Sequence, residues 1–139
     1  MSELKYLDVI YHHDPDIVEI IFKNKIPAAV DEYAEVVLQY GTNLIEQNKL
    51  DKPIYIIVNV NQSGLYSLNY AMTRIKENVI KLKSLPRAYF AYITDNHDDK
   101  LIIERFGYLP NSRNKDTRRV FGSHERETLM EWLLSNKEI

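Results

Sequence analysis

Four short stretches of the chain hold residue types that can do chemistry. Asn61-Gln62-Ser63-Gly64-Leu65 follows a greasy run, Ile54 to Val60, and leads into a helical pattern. A strand-to-helix turn of this kind offers backbone N–H groups to an anion, a serine hydroxyl as donor or nucleophile, and a glycine for close approach. Its single glycine departs from both G-x-G-x-x-G and Walker A spacing, and no serine sits in G-x-S-x-G. Asn, Gln and Ser are also ordinary turn and cap residues, so a capped helix start is the plainer expectation. His12-His13-Asp14-Pro15-Asp16 has metal-ligand types, but neighbours on a strand point to opposite faces and do not converge on one ion. A solvated turn is expected there. His97-Asp98-Asp99 reads as an acidic first turn favoured by the helix dipole, and His124 beside Glu125 as surface. Zinc spacings such as H-E-x-x-H are absent, so neither a metal nor a cofactor is expected.

Arg113, Lys115, Arg118 and Arg119 make the one notable basic cluster. It suits a phosphate, an acidic partner helix or an anionic headgroup, or it is a solvated loop partly balanced by Asp116. It lacks the interleaved aromatics of a single-strand platform, and no nucleic-acid partner is expected.

These residues must be positioned by regular elements. Leu4 to His12 alternates loosely, Ile17 to Phe22 is β-rich, and Asp14-Pro15-Asp16 between them is turn chemistry, so a hairpin is expected. Pro27 fits the first turn of a helix whose stripe is Val30, Tyr33, Ala34, Val37, Gly41, Leu44 and Ile45. Ile54 to Val60 reads as a central strand buried on both faces. Leu65, Leu68, Met72, Ile75, Val79 and Leu82 mark a second helix, ending before Pro86. Ala88 to Thr94 is a further strand. Asp95 or Asn96 then caps a helix carrying Leu101, Ile102 and Phe106, with Gly107 near its end. After a polar loop over 110–118, Arg119 to Phe121 is a short strand, and Ser123 is the expected cap of a last helix burying Leu129, Trp132 and Leu133. The order is β-β-α-β-α-β-α-β-α, an α/β domain with a mixed sheet over residues 1–139.

Composition narrows the function classes. The 139 residues carry a formal net charge of −2 and 45% hydrophobic residues, which fits one globular domain and neither a nucleic-acid binder nor an acidic tail. Cysteine is absent, which excludes disulfides, thiolate nucleophiles and iron–sulfur clusters. The N-terminal stretch lacks a signal-peptide pattern, and no run approaches the roughly 18 apolar residues of a membrane helix, so a cytoplasmic protein without membrane insertion is expected. Ten tyrosines stand against four phenylalanines and one tryptophan, a bias that suits half-buried surfaces and interfaces. Tyr66 and Tyr70, four apart, are expected to share a helix face that lines the core or meets a second subunit in a homodimer.

Two stretches, IIVNVNQSGLYSLNYAMTRI and RRVFGSHERETLMEWLL, together with the element order, give the chain its likeness to a known group. It resembles the STAS (SpoIIAA-like) superfamily of small regulatory domains over nearly its whole length, within the divergent STAS/SEC14-like bacterial group. STAS anti-sigma-factor antagonists carry a turn written D-S-S-G-L-G, whose first serine accepts a phosphate. Matched through Ser63-Gly64-Leu65, Asn61 falls at the Asp and Gln62 at the acceptor serine, while Tyr66 replaces the second Gly. Gln62 has no hydroxyl, and Asn61 follows its strand at once where that family interposes several residues. The resemblance therefore implies the SpoIIAA-like fold without the phosphoserine switch. It implies a non-enzymatic regulatory or protein-interaction module, with Asn61, Gln62, Ser63, Gly64, Leu65 and Tyr66 as the partner- or ligand-binding residues. The alternative is a small-molecule or lipid-binding carrier, because Sec14-like relatives bind lipids. An enzyme would need converging titratable groups in a cleft.

Overall fold

The computed structural model describes residues 4–12, 16–47, 53–80, 88–106 and 118–135. His13, Asp14, Pro15, Leu82, Pro86, Gly107, Arg113, Lys115 and Asp116 lie outside those residues. Among the described residues nine elements follow one another as expected: β1 (Leu7–His12), β2 (Ile17–Phe22), α1 (Pro27–Glu46), β3 (Ile54–Asn59), α2 (Leu68–Ile80), β4 (Ala88–Ile93), α3 (His97–Phe106), β5 (Arg118–Phe121) and α4 (Arg126–Ser135). The protein is an α/β domain built on one five-stranded mixed sheet, in the order β1-β2-β3-β4-β5. β1 runs antiparallel to β2 as a hairpin, and β2 to β5 are parallel.

That order explains the layering. Each crossover from β2 to β5 steps one strand in the same direction, and right-handed crossovers then put α1, α2 and α3 on one face. The core on that face joins Ala29, Val30 and Tyr33 of α1, Ala71 and Ile75 of α2 and Ile103 of α3 to Val18, Ile20, Ile56, Val58, Phe90 and Tyr92 of the sheet. α4 follows the last strand and turns to the other face. There Leu129 and Leu133 pack on Tyr55, Ile57, Tyr89, Ala91, Ile93 and Phe121, with Trp132 half-buried beside them. β3 and β4 are thus covered on both faces, which is why they read as near-continuous apolar runs.

Local chemistry sets the helix starts. Pro27 stands at the head of α1 as expected. The Glu32 carboxylate takes the amides of Lys5 and Tyr6, each at 2.9 Å, and so ties α1 to the entry of β1. α1 and α2 are joined by Tyr70 Oη donating to Asp31 at 2.7 Å, by Arg74 beside Asp31 at 3.0 Å, and by Asn78 Nδ2 donating to the Ala34 carbonyl. Asn96 caps α3 by accepting from the Asp99 amide at 2.9 Å. Among its described side chains Ile103 is the buried one, whereas Leu101 and Ile102, expected on the apolar stripe, are exposed. Among the described residues no helix is long and apolar enough to cross a membrane.

Candidate functional site

Parallel strands bring their C-terminal ends to one edge of the sheet, where open α/β sheets hold ligands. Three turns meet there: 60–66 after β3, 94–96 after β4 and 122–125 after β5. Backbone bonds from Val60 N to Ile93 O and from Thr94 N to Phe121 O, both 3.0 Å, set their mutual height. The Asp95 carboxylate then joins all three. Oδ1 accepts from the Ser123 amide at 2.8 Å, and Oδ2 accepts from Ser123 Oγ at 2.5 Å and from Asn61 Nδ2 at 3.1 Å. Asn61 closes the loop by accepting the Asp95 amide on Oδ1 at 2.7 Å. The Ser123 hydroxyl and then its amide outweigh desolvation and, with Asn61 adding to them, hold the Asp95 carboxyl below the usual carboxylate range. His124 stands close enough to add to the effect.

The 61–65 turn is built differently from a capped helix start. α2 begins at Leu68, and its cap is Ser67, whose Oγ accepts from the Tyr70 amide at 3.3 Å. Ser63 therefore caps nothing, and its hydroxyl donates to the Gly64 carbonyl at 2.8 Å. Gly64 sits at φ +84°, a left-handed conformation that explains the glycine. Its amide reaches back to Val60 O at 2.9 Å, and the Lys25 side chain lies alongside it. Leu65 spends its amide on Asp99 Oδ2 at 3.1 Å, tying this turn to the first turn of α3. Asn61 and Gln62 are exposed, and Gln62 makes no hydrogen bond among the described residues.

No protein-family model matches the chain, and neither a curated protein nor a solved structure matches it. The geometry of the three turns alone defines the site.

Two expected groupings are corrected by that geometry. Tyr66, placed by sequence among the surface contacts, is buried: it stacks on Phe22 with ring centroids 4.7 Å apart and lies 5.7 Å from Tyr33. It precedes α2 rather than sharing a helix face with Tyr70. Burial first of all pushes the Tyr33 and Tyr66 hydroxyls well above the usual tyrosine range and raises Tyr92 too, so the three form a neutral polar knot under α1. Those hydroxyls influence one another's ionisation, although Tyr33 Oη finds no partner of good hydrogen-bond geometry. The basic cluster also divides. Arg118 is buried on the α1–α3 face of β5 and donates to the Glu104 carbonyl at 3.5 Å. Arg119 points to the other face, exposed, with its guanidinium 5.5 Å from the Phe121 ring centroid. Successive strand residues alternate, so these two cannot share a patch.

Sequence reasoning missed Asp95 as a cross-link and Ser123 as its partner. The same rule that pointed to 61–65 applies to the small polar residues after β4 and β5 and finds both. Gly122 also belongs here, since a Cβ on it would lie 3.2 Å from Asp95 Oδ1 and 2.9 Å from the His124 ring. Ser123, expected as the cap of α4, is committed to Asp95. Glu125 closes the turn by accepting the Gly122 amide at 2.7 Å.

A second polar cluster lies on the α4 face. Glu19 of β2, 4% exposed, accepts from Arg126 Nη1 at 2.8 Å and from Arg126 Nη2, and sits 3.0 Å from His12 Nε2. Burial raises this carboxyl, but the hydrogen bonds from Arg126 and His12 outweigh it and the net shift is downward. His12, expected in a solvated turn, is thus an ion-pair partner on the sheet.

Proposed function

We propose that this domain is a non-enzymatic regulatory or protein-interaction module of the SpoIIAA-like (STAS) kind, acting in the cytoplasm without a phosphoserine switch. Its partner docks on the turns after β3, β4 and β5. The observation that carries this reading is the Asp95 cross-link. One carboxylate fixes three turns into a single polar surface, with the unengaged Gln62 side chain at its tip. A surface already ordered before binding avoids much of the entropy lost when loops are fixed by a partner. The element order β-β-α-β-α-β-α-β-α supports the family reading, and the acceptor position carries Gln62, which cannot take a phosphate. Ser63 is a poor substitute, because its hydroxyl is held by the Gly64 carbonyl.

Site-directed photocrosslinking in the native host tests the surface. A photoreactive residue in place of Gln62 is expected to give one discrete protein adduct, and the same residue in place of exposed Lys76 on α2 none. Adducts of equal yield at both positions, or none at Gln62, overturn the reading.

A further inference from the structure

We propose that β1, a sheet edge that no described strand covers, pairs antiparallel with β1 of a second copy of this chain, in the register that sets Ile10 opposite the partner's Ile10. The two edges of the sheet differ in kind. β5 is four residues long, begins with two arginines and is packed by α3 and α4. Short length, charge and cover are the devices that blunt a sheet edge. β1 has six residues, LDVIYH, with no proline or lysine among them. Among the described residues its neighbours Ile10, 43% exposed, and Tyr11, 55% exposed, are the two most exposed large hydrophobic side chains. A long edge of that composition is a template for another strand.

The backbone supplies the free groups. Lys23 N donates to Tyr6 O at 2.8 Å, in the register that pairs Asp8 with Ile21, Ile10 with Glu19 and His12 with Ile17. Antiparallel pairs alternate between hydrogen-bonded and non-hydrogen-bonded, so Leu7, Val9 and Tyr11 turn their N–H and C=O away from β2. No described residue takes those groups.

Charge selects the register. A two-fold pairing centred on Ile10 sets Val9 against the partner's Tyr11 as a hydrogen-bonded pair and Asp8 against the partner's His12, twice over. Asp8 already lies 3.4 Å from Lys23, and His12 lies 3.0 Å from Glu19, which Arg126 holds in turn. When His12 is protonated, the charges across the junction then alternate: Lys23, Asp8, the partner's His12, the partner's Glu19, the partner's Arg126. Shifting the centre to Val9 or to Tyr11 sets Asp8 or His12 against Ile10 and loses this alternation. Opposite charges and paired aliphatics directly across two strands favour a register, and like charges disfavour it. β1 is the far edge from β5, so the pair leaves the turns after β4 and β5 open to another partner.

Sedimentation of the full chain is expected to show a concentration-dependent dimer. Ile10→Lys sets two like charges face to face and is expected to raise the dissociation constant at least about tenfold. Val9→Pro removes an outward N–H without touching the β1–β2 ladder and is expected to do the same with an unchanged circular dichroism spectrum. The chain has no cysteine, so single substitutions report the register. Non-hydrogen-bonded partners have Cα atoms about 4.5 Å apart, within disulfide reach, so Ile10→Cys is expected to form a covalent dimer on mild oxidation. Asp8→Cys is not, because two copies of position 8 lie about 14 Å apart in this register. The doubly substituted Asp8→Cys, His12→Cys chain is expected to link. A monomer at every concentration overturns the proposal, and so does cross-linking of Asp8→Cys as readily as Ile10→Cys.

Discussion

Glu19 and Asp95 are two carboxylates held below their ordinary range by opposite means. Glu19 is buried in the sheet face and depends on hydrogen bonds from the Arg126 guanidinium and the His12 ring to overcome its desolvation. Asp95 is open to water and depends on neutral donors, the Ser123 hydroxyl and amide and the Asn61 amide group. The difference separates two jobs. A buried charge ties α4, the only helix on its face among the described residues, to a distant strand, so its loss is felt by the whole fold. An exposed carboxylate with three hydrogen bonds from the two neighbouring turns fixes a surface, and its loss is felt where a partner would land.

The largest effect is expected from removing the cation rather than the anion. Arg126→Ala leaves the Glu19 carboxylate, whose side chain is 5% exposed, with His12 as its one remaining partner among the described residues. Breaking a buried pair from one side costs about 3–5 kcal/mol, and water reaching the half-exposed Arg126 puts this one at about 3 kcal/mol. Urea unfolding measures it. Adding Glu19→Met is expected to recover stability to within about 1 kcal/mol of the natural chain, since a well-packed apolar side chain needs no counter-charge. A double variant as unstable as Arg126→Ala shows that the arginine acts through packing of its stem and not through the charge.

Acid separates the two carboxylates next. A carboxyl whose folded pKa is depressed stabilises fully above its ordinary value, 4.5 for Glu19, and that stability is lost as pH falls through the lower folded value. The stability difference between the natural chain and Glu19→Gln is therefore expected to be greatest at pH 7 and to shrink below about pH 4. Urea midpoints at pH 7 and pH 3 give the comparison directly, and a gap that widens in acid reverses the assignment.

The two clusters were also unequally legible in the sequence. Every strand and helix was readable, because the apolar runs IYIIVN and AYFAYI and the stripe of α1 follow the burial that the sheet imposes. The start of α2 was not. Leu65 continues the helical spacing of Leu68 and Met72 because it packs on the same core, yet the left-handed Gly64 and the Asp99 bond hold it outside the helix. The Asp95 cross-link follows from the strand-end rule once that rule is applied to every parallel strand. The Glu19–Arg126 pair spans 107 residues of sequence, and its one local trace is a charged residue inside the run IVEIIF. Through-space pairing of that kind has no period or spacing to read.

The smallest effect on stability, and the sharpest on the surface, is expected from Ser123→Ala. It removes the hydroxyl that is the first cause of the Asp95 shift and leaves the Ser123 amide and Asn61 on the carboxylate. The Asp95 carboxyl is then expected to titrate closer to its ordinary value of 3.8, which carboxyl NMR measures directly. Because the oxygen that loses a donor is exposed, water replaces the bond and the unfolding midpoint shifts less than for Arg126→Ala. Amide exchange localises the consequence: faster exchange at Asp95 and Ser123, with the amides of β2 and α4 unchanged, is expected if the cross-link orders the turns alone. Faster exchange spreading to Glu19 and its strand shows instead that the two carboxylates belong to one cooperative unit, and that the division of labour between them fails.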